Sequence, residues 1–171
     1  RNNFGLHFKN LNSLGKNDKK FKSSPQLELQ SLFELRSDLP LIKKSENNSH
    51  TLIPKVSLRF NPSDMKDHSS DERRINTSNI FDLNRFGIDD SFESGYSATL
   101  GIEYNTKNLI EDQNYLKLKL ATVIRDDNET KIPKQTSLNK KNSNLFGSMD
   151  YKISQLINID YDFAIDNNYE K

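Results

Sequence analysis

The chain has 171 residues, no cysteine and nearly balanced charge, with 25 basic and 24 acidic residues and a net charge of +1. Its length suits one ordinary domain, but a hydrophobic fraction of 33% and a mean hydropathy of -0.85 are low for a soluble core of that size. The composition excludes disulfide frameworks, thiolate metal sites and cysteine nucleophiles. The balanced charge creates no field that would attract nucleic acid, so we expect no nucleic-acid partner.

The two ends of the chain suggest a piece of a longer protein. The sequence begins at Arg1 without an initiator methionine or signal segment and stops abruptly at Lys171. No apolar run approaches the roughly 20 residues of a membrane-spanning helix. The low hydropathy then fits either partial disorder or a sheet that leaves one face in water. Four lysines in an Asn- and Ser-rich stretch are interpreted as a solvated loop: Lys16, Lys19, Lys20 and Lys22.

Period-2 alternation is frequent along the chain, whereas helical periodicity is nearly absent. It predicts seven strands, at residues 4–9, 27–35, 52–60, 95–104, 115–124, 145–153 and 157–165. In the last of these, every odd position is large and apolar, and Asn158, Asp160 and Asp162 lie between them. Because successive side chains of a strand point to opposite faces, each segment has one apolar and one polar face.

The connections between these strands alternate in length. Segments 61–94 and 126–144 are long, 105–114 is shorter and 37–51 is intermediate, with prolines at positions 40, 62 and 133 inside or beside them. Ser154 and Gln155 leave only a tight turn before the last strand. We therefore expect the last two strands to form an antiparallel hairpin.

Two architectures fit strands with one apolar and one polar face. In a soluble sheet the polar face lies outside, whereas in an outer-membrane barrel it lines the lumen and the apolar face meets lipid. Strands of nine or ten residues and the long and short loops favour the barrel. Tyr96 and Tyr104 also bracket an apolar stretch about 27 Å long, or about 21 Å when tilted, near the expected apolar band of roughly 25 Å.

We therefore predict an all-β fold: an antiparallel transmembrane β-barrel segment, with about seven strands of a larger outer-membrane barrel. A soluble all-β domain and a disordered chain remain as alternatives. An open sheet of this kind has two unpaired edges that lipid does not satisfy, so we do not expect the segment to fold alone.

No constellation of catalytic or metal-binding residues stands out. His7, His50 and His68 lie in separate segments without a second ligand at metal spacing, and surface positions are expected for them. The acidic pairs at 89–90 and 126–127 are typical of solvated turns. Phosphate-binding and nucleophile motifs are absent from the sequence. We predict no enzyme activity, no catalytic residue, no metal and no cofactor.

One segment carries a resemblance to a known family. Asn79-Ile80-Phe81-Asp82-Leu83-Asn84-Arg85-Phe86, followed by Asp90, Glu93 and Gly95, resembles the loop pattern N-L-F-x-x-N-R-F and D-x-x-E-x-G of the lipopolysaccharide-assembly proteins LptD, also called organic solvent tolerance proteins. The resemblance is best over residues 52–147 and implies that 1–171 is part of the C-terminal barrel domain. It departs from the pattern at Ile88, Asp89 and Asn144, among others.

The resemblance implies a protein of the Gram-negative cell outer membrane that inserts lipopolysaccharide into the outer leaflet. Its implied partners are lipopolysaccharide, outer-membrane lipid, an LptE-type plug lipoprotein in the lumen, and a periplasmic lipopolysaccharide bridge protein that meets an N-terminal domain not visible here. Another outer-membrane barrel, such as a porin or receptor, and a soluble all-β binding or adhesion module are the alternative functions.

The implied site has two parts. The loop motif comprises Asn79, Phe81, Asn84, Arg85, Phe86, Asp90, Glu93 and Gly95. The lumen-facing residues are Lys55, Arg59, Glu103, Lys117, Lys119, Asp150, Asp160 and Asp162. We expect Arg85 and Glu93 to pair and hold the loop. We expect the lumen residues to keep the lumen hydrated and to contact the plug or the saccharide, and their basic members to pair with lipid phosphates. Whether the loop motif contacts substrate or only orders the loop stays open.

Overall fold

A computed structural model of the protein describes residues 1–17, 23–111, 113–154 and 156–166. Within these residues lie eight strands: β1 Asn2–Ser13, β2 Gln26–Asp38, β3 Leu41–Lys44, β4 Asn48–Asn61, β5 Gly95–Asn108, β6 Gln113–Arg125, β7 Leu145–Lys152 and β8 Asn158–Ile165. The all-β antiparallel prediction is confirmed. One turn of 3₁₀ helix covers Lys134–Thr136, and no helix of the described ranges is long and apolar enough to cross a membrane. Lys19, Lys20 and Lys22 of the predicted lysine loop, and Gln155 of the predicted turn, lie outside the described residues.

All strands join one antiparallel sheet in the order β1-β2-β4-β5-β6-β7-β8, and β3 also pairs with β4. β2 and β3 are two halves of one strand that runs beside β4, interrupted at Pro40. The interruption follows from proline, which has no N–H to donate to the ladder. The prediction of an intermediate connection over 37–51 is therefore wrong. The real turn covers 45–47, where the Ser45 N–H bonds to the Asn48 carbonyl at 2.8 Å.

The connections fall into two groups, one at each end of the sheet. Residues 14–17 and 23–25 and loops 62–94 and 126–144 lie at one end, and residues 45–47, 109–111, 153–154 and 156–157 lie at the other. The predicted alternation of long and short connections is present. β1 and β8 each pair with one neighbour, so the sheet is open across the described part of the chain.

The apolar face of the sheet is the exposed one. Phe4 is 74% exposed, Leu29 66% and Leu58 47%. Near the end with the long loops, Phe33, Phe60 and Tyr96 stack side by side across β2, β4 and β5, with ring centroids 6.1 and 4.0 Å apart. This arrangement reverses the usual one, in which large apolar side chains are buried and polar ones face water.

The hydrophobic core lies on the opposite, polar face. Loops 62–94 and 126–144 fold back over this face, and their apolar side chains meet those of β6 and β7. The cluster contains Met65, Ile75, Ile80, Phe86, Ile88, Ala121, Val123, Ile132, Leu138 and Phe146. The two loops therefore have a packed core of their own, made against the polar face of the sheet.

Candidate functional site: the capped polar face

The two folded-back loops, 62–94 and 126–144, form what we call the cap. Ile80 from the first loop and Ile132 and Leu138 from the second are 0% exposed. From the sheet, Val123 and Phe146 project into the same cluster. Burying side chains of this size is worth about 1.5–3 kcal/mol each, which holds the cap on the sheet.

Arg85 and Glu93 form the centre of the polar contacts beneath the cap. As predicted, they pair: Arg85 Nε donates to Glu93 Oε2 at 2.7 Å and Nη2 donates to Oε1 at 2.5 Å. The same guanidinium also donates to Thr99 Oγ1 at 3.0 Å and Ser97 Oγ at 3.3 Å, both on β5. A bidentate pair with further bonds fixes the geometry of both partners. The motif pair thus ties the first loop of the cap to the sheet.

Arg125 completes this cluster from the end of β6. One of its guanidinium nitrogens donates to Glu93 and the other donates to the carbonyl of Ser94. Burial by itself would raise the pKa of the Glu93 carboxyl, but the charges of Arg85 and Arg125 outweigh it and hold that pKa below its ordinary value. Glu93 is therefore an ionised carboxylate shared by two arginines.

A second cluster joins β2 and β4 to the tip of the first loop. Arg59 Nε donates to Glu34 Oε1 at 3.0 Å, and its Nη2 donates to the Phe81 carbonyl at 3.0 Å and the Asp82 carbonyl at 2.7 Å. Arg36 bonds the same Glu34 oxygen at 3.0 Å. The structure therefore places Arg59, one of the residues expected in the lumen, beneath the cap and 5% exposed, where it holds loop carbonyls.

The other motif residues order the first loop. Asn79 donates from Nδ2 to the Arg74 carbonyl at 3.1 Å, and Asn84 Oδ1 accepts from the Ile88 N–H at 2.9 Å. Gly95 opens β5 with φ +76°, a conformation that suits glycine. Phe81 packs against the core that contains Phe86. These contacts give each motif residue a place inside the loop or on the sheet.

His68 links the two loops of the cap. Its Nδ1 lies 2.8 Å from Asp71 Oδ2 and its Nε2 lies 2.8 Å from Asp90 Oδ1. Its backbone N–H bonds to the Lys131 carbonyl in the second loop at 2.9 Å. His68 is 5% exposed, so the prediction of a surface position is wrong for this histidine. Carboxylates lie at both nitrogens of the buried imidazole, and Asp90 is a hydrogen-bond partner of His68 where a solvated turn residue was predicted.

Seven of the predicted lumen residues lie on the polar face closer to the short turns. Lys55 donates to Glu103 at 2.6 Å. Strand register places the others side by side on the same face: Lys117 opposite Asp150 opposite Asp160, and Lys119 opposite Ser148 opposite Asp162. Asp160 and Asp162 are exposed. At the edge of the cap, where Lys55 and Lys119 line a pocket with Phe81, and beyond it, the polar face is therefore a mixed-charge surface.

Several contributors to the cap were not anticipated. On β1, Lys9 Nζ donates to the carbonyls of Ile88 at 3.2 Å and Ser91 at 3.1 Å and lies 4.5 Å from the Phe92 ring. Glu34 and Arg36 were also missed. One signal in the sequence indicates a cover over the polar face: apolar Ala121 and Val123 occupy positions that alternation assigns to it.

In the described ranges, no group of three or more acidic or histidine side chains is arranged to hold a metal ion.

Comparison with known proteins identifies the family. The LptD family model, described as LPS transport system D, matches residues 3–170, which extends well beyond the 52–147 where the resemblance is best. A search of curated proteins finds none that matches the chain. Because the match covers nearly the whole sequence, the chain belongs to the LptD family of the lipopolysaccharide (LPS) transport system.

Proposed function

We propose that this chain is a segment of the C-terminal outer-membrane barrel of an LptD protein, which inserts LPS into the outer leaflet in Gram-negative cells. The observation that carries the proposal is the inversion of the sheet. Its large apolar side chains are exposed on one face, while the loop core and the charged clusters are on the other. A lipid environment accounts for the first face and a water-filled lumen for the second.

The exposed face argues against a soluble binding or adhesion module. Phe4 and Leu27 are each 74% exposed, and the apolar surface continues across neighbouring strands. Monomeric soluble proteins rarely expose a contiguous apolar patch of more than a few hundred Å². The strands β4 and β5 have 14 residues each, more than the roughly 9–11 that a tilted strand needs to cross a bilayer.

The open edges argue for further strands. The outer edges of β1 and β8 present unpaired backbone N–H and C=O groups, which find no hydrogen-bond partners in hydrocarbon. Sheets that span a membrane avoid such edges by closing into a barrel. We infer that strands from the rest of the full-length chain pair with both edges. Outer-membrane barrels have long loops on the extracellular side and short turns on the periplasmic side. The end with loops 62–94 and 126–144 therefore faces the cell exterior, and the short turns face the periplasm.

The cap and the open charged surface then have separate roles. The cap occupies the outer end of the polar face and is held there by the Glu93 and Glu34 clusters. Below it, Lys55, Lys117 and Lys119 interact with phosphate groups of LPS or with an LptE-type plug lipoprotein, since ammonium groups bind phosphate well. LPS reaches the barrel from a periplasmic bridge protein through the N-terminal domain. The role is transport without bond-making chemistry, so no catalytic residue or cofactor is required.

Two experiments on the full-length protein test the proposal. Boiled and unboiled samples in detergent should migrate differently on a gel, as closed barrels do; identical migration and solubility without detergent would contradict a barrel.

A photo-crosslinker at Lys119, on the polar face, should trap LPS or the plug. The same crosslinker at Leu118, its neighbour on the apolar face, should label bulk lipid instead. Failure of several polar-face positions to trap either partner would contradict transport.

A further inference from the structure

A cavity of about 510 Å³ opens between the two loops of the cap. Arg85 and Phe86 contribute to its lining from the first loop. Its other lining residues include Glu72, Arg73, Arg74, Asn84 and Gly87 from the first loop and Gln135 from the second. Neither the packing of the cap nor the charged clusters on the sheet accounts for the side chains of Glu72, Arg73, Arg74 and Gln135.

Arg73 and Arg74 differ from the buried arginines of the cap. Arg85 and Arg125 share Glu93, whereas the guanidinium groups of Arg73 and Arg74 have no hydrogen-bond or ion-pair partner among the residues that the structure describes. Both are exposed at the cavity. Two adjacent cations without a carboxylate partner leave this cavity with donors that an anion would satisfy.

The backbone beside the cavity turns at a glycine next to one of these cations. Gly87 has φ +62°, and a Cβ at this residue would lie 3.6 Å from Arg73 Nη1. Arg73 therefore lies over a turn that lacks a side chain. Asn84 uses its Oδ1 to accept from the Ile88 N–H at 2.9 Å, so its amide nitrogen is left to donate. The Gln135 amide lines the cavity from the second loop.

The lining as a whole matches one class of ligand. Guanidinium forks match the oxygens of a phosphate group, and amides donate to hydroxyl or ring oxygens. The Glu72 carboxylate would repel a bare anion, but it accepts hydrogen bonds from sugar hydroxyls. We propose that this cavity binds a phosphorylated saccharide, with the phosphate on Arg73 and Arg74. The inference rests on the proposed function for the route by which a saccharide reaches the outer end of the polar face.

The test uses the purified full-length protein in detergent and glucosamine 1-phosphate as the probe, with glucosamine and inorganic phosphate as comparison ligands. Binding is followed by calorimetry or ligand-observed NMR. Glucosamine 1-phosphate should bind more tightly than either comparison ligand. Arg73→Gln with Arg74→Gln should weaken its binding about tenfold or more, since hydrogen bonds to charged groups are among the strong ones. The matched control, Lys43→Gln with Lys44→Gln in β3, removes the same charge at the other end of the sheet and should leave binding unchanged.

Each other outcome has a definite meaning. Equal affinity of wild type and the Arg73/Arg74 variant would overturn the proposal, and so would binding of inorganic phosphate as tight as that of the sugar phosphate. Competition by purified LPS would identify the lipid-linked saccharide as the source of the ligand. Absence of competition would assign the cavity to free sugar phosphates and overturn its place in transport. Crosslinking at Lys119 tests the proposed transport function independently of ligand binding in this cavity, because Lys119 does not line the cavity.

Discussion

The ring of Phe81 occupies the space that a side chain at position 101 would need. A Cβ built on Gly101 would lie 2.7 Å from Cζ of Phe81, closer than side-chain atoms approach. Gly101 lies in the middle of β5, and Phe81 is part of the loop motif. A glycine in a strand often marks a point where another group comes close. Here it makes room for the cap on the sheet.

Gly101→Ala should loosen the cap. The added methyl group forces Phe81 to shift, which typically costs about 1–3 kcal/mol in a packed site. Hydrogen exchange of the amides of residues 80–94 in the full-length protein should become faster. Combining Gly101→Ala with Phe81→Leu provides the control, because the smaller side chain removes the collision and the two effects should not add. Additive effects would show that the contact has no role in docking the loop.

Arg85→Gln should destabilise the cap by about 3–5 kcal/mol, because it removes one partner of a buried ion pair. Arg85→Lys should retain only part of the stability that Arg85→Gln loses, since an ammonium group lacks the planar fork that bonds both oxygens of Glu93. Chymotrypsin cleavage within loop 62–94 of the full-length protein measures the change, because neither substitution adds or removes one of its cleavage sites. Lys141→Gln breaks an exposed pair with Asp127 and should leave cleavage unchanged. Equal cleavage of the Gln and Lys variants would contradict the bidentate role.

Acidification should release the cap through Glu93. Its folded-state pKa lies below the ordinary 4.5, because Arg85 and Arg125 outweigh the effect of burial. The carboxylate therefore contributes stability that is complete above pH 4.5 and is lost as the pH falls through the folded-state pKa. Protection of residues 80–94 from proteolysis by an acid-active protease should drop in that window. Glu93→Gln should be less protected at neutral pH and should show a smaller drop; an undiminished drop would assign the acid sensitivity to other carboxylates.

Ile80→Ala should weaken the core of the cap. Ile80 is 0% exposed, and truncating a fully buried isoleucine costs about 2–5 kcal/mol. Urea-dependent proteolysis of the cap in the full-length protein should shift to lower urea. Ile110→Ala removes the same atoms from a residue that is 74% exposed in a short turn, and it should have no such effect. Similar shifts in both variants would mean that the cap has no independent packed core.

Leu118→Arg should impair assembly into the outer membrane. Leu118 lies on the exposed apolar face, where an arginine near the middle of a bilayer costs about 2–4 kcal/mol. Lys119→Arg, on the opposite face one residue later, keeps its charge in water and should assemble normally. The amount of heat-modifiable protein in outer-membrane fractions measures both. Normal assembly of Leu118→Arg would place this face away from lipid.

The position of strands and faces was predictable because alternation is a local property. β5 begins at Gly95 as predicted, and the apolar positions of β4 and β6 lie on one face. Boundaries were harder, since pairing continues into polar ends such as Asn48–Thr51, where alternation carries no signal. β3 was missed because Pro40 separates it from the strand to which it belongs. The Arg85–Glu93 pair was predictable because both residues lie in one motif.

By itself, the sequence determined that the chain makes long strands with one apolar and one polar face, because side-chain direction alternates with every residue. Only the tertiary structure decided which part of the polar face is covered. Arg125 meets Glu93 from 32 positions away, and Arg59 and Arg36 reach the loop carbonyls from separate strands. Such contacts depend on how two long loops fold back over the sheet, which is set by long-range packing. The sequence therefore shows what each face is made of, and the fold shows what each face touches.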